Sequence, residues 1–197
     1  MKVRNLVASA MVVAGMVSVP VTSMAATVGS CVPGKATPES YTWDFKAEAS
    51  RLLDQVRVDA MKARSRADKL EQFDMEPTIS WHSHARQLTV IKQEVNDMGR
   101  KLCRLEQIRR VVAPWQQQTI DRIAPQIKLM ADSAEDAIVF LNRNESSFWE
   151  PVNQKYAANI AQDSGRIVRS VTDFEKYVKA HNEETHLQQT LGLKAGA

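Results

Sequence analysis

The side chains able to do chemistry are few and stand far apart. His82 and His84 are two positions apart, so on a helix they point about 200° away from each other and cannot hold one ion together. His181 falls in step with the apolar residues of the last quarter of the chain and is expected to face the core as a hydrogen-bonded histidine, about 40 Å from the other two. Glu183 and His186 form a Glu-x-x-His match, but a di-iron bundle needs two such pairs and two further inward glutamates. The apolar stripes of the first three helical runs hold no glutamate. A b-type haem would need a methionine and a histidine on one cavity, and Met98 and Met130 lie too far along the chain's helices to meet His181. Core methionines are ordinarily gap-fillers.

Other reaction classes lack their residues as well. There is no Gly-x-Ser-x-Gly, phosphate-cradling loop, Gly-rich dinucleotide turn, Cys-x-x-Cys or haem-attachment pair, and no inward carboxylate pair for hydrolysis. The sequence therefore predicts no catalytic residue, no metal site and no cofactor. One charge feature stands out: Arg100, Lys101, Arg104, Arg109, Arg110 and Arg122, a candidate patch for an anion or a partner surface. The competing expectation is that these cations complement a helix C-terminus and pair with Asp44, Glu48, Glu106 and Asp121. Glu106–Arg110, Arg169–Asp173 and Glu175–Lys179 have the spacing of pairs along a solvated helix face.

The elements that would position these groups are read from periodicity. Phe45, Ala49, Leu52, Val56, Ala60, Ala63, Ala67 and Leu70 recur at threes and fours, a coiled-coil-like stripe opened by Ser40 or Thr42 and ended at Asp74–Pro77. Trp81, Ala85, Leu88, Ile91, Val95, Met98, Leu102, Leu105 and Val112 give a second run, opened by Thr78 or Ser80. Pro114 either ends that run or kinks it. The third run carries Trp115, Ile120, Ile123, Ile127, Met130, Ala134, Ala137 and Leu141, with Pro125 inside it. The fourth carries Tyr156, Ile160, Ser164, Ile167, Val171, Phe174, Val178 and His181, opened by Ser147 or Pro151. The pattern fades after about Glu184.

Four such runs of about 30 residues, each roughly 45 Å long, predict an all-α antiparallel up-down bundle, with three helices if Pro114 only kinks the chain. The layout puts Trp43 and Trp115 at one end of the core and Trp81 and Trp149 at the other, where they read as plugs.

The opening residues read as a targeting segment. Lys2 and Arg4 precede an apolar run from Leu6 to Val19, Pro20 ends it, and Ser23-Met24-Ala25 offers small residues for cleavage between Ala25 and Ala26. The predicted organisation is a signal peptide over 1–25, an irregular leader over 26–41, the bundle over 42–185 and a flexible tail over 186–197. The first run is too short to span a bilayer and no second one follows, so the mature chain is expected to lack a transmembrane helix.

Lys2 and Arg4 aside, the chain is nearly neutral, with 24 basic against 23 acidic residues, which removes any global attraction to nucleic acid. The two cysteines, Cys31 and Cys103, both lie beyond the targeting segment and are expected to pair in an oxidising compartment. Lipidation at Cys31, in the lipobox-like Val28-Gly29-Ser30-Cys31, is the alternative.

The periodicity is similar to that of exported helical bundles in general, such as cytochrome-type bundles and small periplasmic chaperones, but the defining motifs of both are missing. The expected role is a non-enzymatic periplasmic or secreted protein that meets a protein partner; the alternative is a bundle that binds a small molecule or metal. The sequence does not fix an oligomeric state.

Overall fold

The structure, a computed structural model, describes residues 44–76, 78–145 and 151–192, with side chains of the last stretch from residue 154. Trp43, Trp149, Cys31, Ala25 and Ala26 lie outside the described residues, as do the leader and the two caps expected for the first run. The described residues are helical throughout their ordered elements: α1 (Phe45–Asp74), α2 (Trp81–Ile108), a 3₁₀ turn (Arg109–Val111), α3 (Pro114–Arg143) and α4 (Pro151–Leu191). Among them no helix is long and apolar enough to cross a membrane.

Each boundary has a local cause. Asp44 is the N-cap of α1, its carboxylate accepting from the backbone N–H groups of Lys46 and Ala47 at 3.0 Å each. Ser80 opens α2 in extended backbone conformation, its carbonyl accepting from Ser83 and His84. Pro114 separates α2 from α3, because a proline pushes the residue before it out of the helical region, and Ala113 is extended at φ −65° and ψ 150°. The described residues accordingly form four α-helices. Pro125 sits on the exposed side of α3 and the helix continues through it, with water able to serve the carbonyl that lost its donor.

The helices pack as a ring in which α1 touches α2, α2 touches α3, α3 touches α4 and α4 closes on α1, while α1 and α3 meet only weakly across the middle. The core between them is aliphatic. Leu53, Val56 and Leu70 come from α1; Leu88, Ile91, Met98 and Leu105 from α2; Ile120, Ile123, Ile127 and Met130 from α3; Ile160, Ile167 and Val171 from α4. Ala49, Ala60, Ala63 and Ala67 give α1 a shallow face, so the neighbouring backbones approach it closely and larger residues of α2 and α3 fill the volume. Leu53 is fully buried where the stripe pointed to Leu52, which is half-buried. Ser164 is buried within this core and donates to Met130 Sδ at 2.9 Å.

Helix α4 departs most from expectation. It runs 41 residues, against 28 to 30 for the others, and continues to Leu191, six residues into the stretch expected to be a flexible tail, of which 193–197 lie outside the described residues. Among the described residues none after Val171 is buried. His181 is therefore on the surface, stacked on Tyr177 with ring centroids 6.1 Å apart, and not in the core. The heptad breaks first: beyond Val178 the core-facing positions fall to Asn182, Thr185 and Gln189.

Candidate functional site

The basic residues singled out by the sequence lie on α2, on the 3₁₀ turn and early on α3, and most of them have acidic partners. Arg104 grips Glu48 with both ends of its guanidinium, at 2.7 and 3.1 Å, which ties the end of α2 to the first turn of α1. Arg109 does the same to Asp121, at 2.7 and 2.5 Å, between the 3₁₀ turn and α3. The Arg109 guanidinium holds the Asp121 carboxyl below its ordinary range. Lys101 binds the buried Asp59 of α1, and Arg100 binds Asp97. Arg122 lies over the Phe174 ring at 5.2 Å. Arg110 is exposed and makes no ion pair among the described residues.

The six therefore form no common basin of positive charge. Four of them serve as straps with carboxylates, as the competing expectation held for Glu48 and Asp121. Asp44 caps a helix instead, and Glu106 makes no ion pair among the described residues. The expected i,i+4 pairs do not form there either: the intrahelical bridges are i,i+3, such as Asp163–Arg166 and Asp59–Lys62, and Glu175 reaches across to Arg57.

The tryptophans within the described residues sit at the rim of the core. Trp81 is half-buried at the start of α2 and donates its indole N–H to the Leu141 carbonyl at 3.0 Å, fastening the end of α3. Trp115 packs against the core at the start of α3. Cys103 is half-buried on α2, one residue before the Arg104 that binds Glu48.

Three constellations were not anticipated. The first is Gln116, 1% exposed, whose carbonyl accepts from the Ala113 N–H at 2.9 Å. Its amide donates to the Lys46 carbonyl at 2.7 Å and to Ser50 at 3.0 Å, so one side chain fastens the beginnings of α1 and α3. The second is a pair of fully buried groups, His84 and Asp74. Nδ1 of His84 lies 3.2 Å from the Ser80 carbonyl and Nε2 lies 3.1 Å from Asp74 Oδ1, so the pair ties the end of α1 to the start of α2.

The third constellation surrounds Gly165. This buried glycine of α4 has Arg64 of α1 and Arg169 of its own helix directed onto it; a Cβ there would stand 3.3 Å from Arg64 Nη1 and 3.7 Å from Arg169 Nη1. The sequence offered one signal, since an isolated glycine inside a helical run costs about 1 kcal/mol and ordinarily has a packing or functional reason. Arg169 lies over this glycine instead of reaching Asp173.

No protein-family model matches the chain, no curated protein matches it, and no solved structure matches it.

Proposed function

We propose that this is an exported, non-enzymatic interaction protein of the cell envelope, made as a precursor cut between Ala25 and Ala26 and folded as an antiparallel up-down bundle that meets a protein partner through its surface. One observation carries the reading: α4 outruns its neighbours and exposes Tyr177, Leu187 and Leu191, at 62%, 52% and 66%, on a stretch with no buried residue. A lone helix end of that length is marginal in water, and a partner supplies the packing it lacks. The core supports the same reading, because aliphatic side chains occupy it and leave the surface to do the work. The antiparallel order draws on contacts that join the start of one helix to the end of the next: Glu48 with Arg104, Asp74 with His84, Trp81 with Leu141, and Phe140 with Tyr156. Cys103 lies level with the first turns of α1, and the eleven residues from Cys31 to Trp43 span up to about 35 Å, which is enough for a Cys31–Cys103 disulfide.

Affinity purification from envelope fractions with mass spectrometry tests this reading. The full chain should recover a specific protein that a chain ending at Val178 does not. Equal recovery by both forms, or retention of an uncleaved chain in the cytoplasm, refutes it. A second reading, a bundle that binds a small molecule, draws on the groove lined by Met61, Arg64 and Val168.

A further inference from the structure

We infer that the groove between α1 and α4 at Gly165 binds a small organic anion, with its carboxylate or phosphate head between Arg64 and Arg169 and its apolar part on Met61 and Val168. The inference is independent of the protein-partner reading, which rests on the far end of α4.

The charge arrangement comes first. Both Nη1 atoms lie within 3.7 Å of one point, the position of the missing Gly165 Cβ. They are thus no more than about 7 Å apart, inside the roughly 8 Å over which physiological salt screens charge. Two cations held that close repel each other. Among the described residues neither one has a carboxylate within ion-pairing distance, although acids stand one turn away on each helix, Asp68 for Arg64 and Asp173 for Arg169. Other arginines nearby do take such partners: Arg57 binds Asp54 and Arg166 binds Asp163. Arg64 and Arg169 instead converge, and an anion between them removes the repulsion while meeting two planar donor forks that match carboxylate and phosphate geometry.

Glycine leaves room for this convergence. A methyl group at residue 165 would stand 3.3 Å from Arg64 Nη1, so the guanidinium would have to give by a few tenths of an ångström. Arg64 also lines an adjoining open groove of about 640 Å³, within the range of small-molecule sites, together with Met61, Ser65, Asp68, Lys69, Gln72 and Val168. Met61 is half exposed, an unbranched apolar side chain that adapts to a ligand's hydrocarbon. Asp68 and Lys69 bring one charge of each sign to the groove, and Asp68 opposes a bound anion.

Calorimetric titration of the full chain with inorganic phosphate, hexyl phosphate and hexanoate tests the inference. At least one of the two hexyl-chain anions should bind with a Kd of about 0.1–5 mM at low salt, weakening as salt rises. Hexyl phosphate binding alone assigns a phosphate head, and hexanoate binding alone assigns a carboxylate. For the anion that binds, R64Q and R169Q should each weaken affinity about tenfold, while R166Q leaves it unchanged. G165A keeps both charges and should weaken binding by crowding them; D68N should tighten it about two- to fivefold. The Arg64 and Arg169 side chains are exposed, so circular dichroism should show these variants folded. Absence of binding by both hexyl-chain anions at about 20 mM overturns the inference. So does binding that ignores R64Q and R169Q, or inorganic phosphate binding as tightly as hexyl phosphate.

Discussion

Replacing Gln116 with alanine should destabilise the bundle far more than its place among three consecutive glutamines suggests. The side chain makes three hydrogen bonds, to Ala113 N–H, the Lys46 carbonyl and Ser50, in a site 1% exposed. A typical bond contributes about 0.5–1.5 kcal/mol net, and truncation also strands buried backbone groups that water reaches poorly, so the expected loss is about 2–4 kcal/mol. For a domain of this size that corresponds to a fall in Tm of roughly 4–16 °C. Urea unfolding followed by far-ultraviolet circular dichroism measures it. Gln118 is exposed on the same helix turn, and Gln118→Ala should stay within about 0.5 kcal/mol of the parent. Gln116→Glu should cost at least as much as alanine at neutral pH, since it sets a carboxylate oxygen against the Lys46 carbonyl, and should recover as the carboxyl is protonated. If Gln116→Ala and Gln118→Ala cost the same, the clasp between α1 and α3 contributes nothing and the reasoning fails.

Two further outcomes follow from buried polar groups. Burial raises the Asp163 carboxyl above its ordinary 3.8, with Arg166 pulling the other way. The native state therefore holds this proton more tightly than the unfolded chain, so the group's contribution to stability is full below pH 3.8 and lost as pH rises through the raised value. Asp163→Asn should remove that part of the decline, seen as a flatter curve of unfolding free energy against pH; parallel curves for the two proteins would contradict it. At the other end, His84→Leu and Asp74→Leu should each cost about 2–4 kcal/mol while the double variant costs less than their sum, with a coupling of about 1–3 kcal/mol by denaturant titration. Strict additivity would show that the contact between the two side chains does not hold α1 to α2.

The helix count, the helical runs and most of the core were legible in the sequence. Apolar residues at threes and fours are a local signal, and Ile120, Ile123, Ile127 and Met130 can be placed on one face without knowing what they touch. The boundary at Pro114 was half legible: the proline marks a break, but whether the chain starts a new helix there or only bends depends on α3 packing beside α2. Tertiary structure alone decided the rest. Gln116 reads as a surface glutamine, and becomes a core residue because Lys46 offers it a carbonyl some seventy positions away. His84 looked like one of two unrelated histidines, and is buried where Asp74 of α1 meets its Nε2. His181 kept the helical rhythm yet lies in water, since periodicity says which way a residue faces along a helix but not whether another helix is there to receive it. Arg64 and Arg169 lie far apart in the chain, and only the packing of α1 on α4 brings both guanidinium groups onto one glycine. Local spacing determined the helices and their apolar faces; the pairing of polar groups was decided by which helices became neighbours, because each such bond needs a partner that the chain supplies only after it has folded.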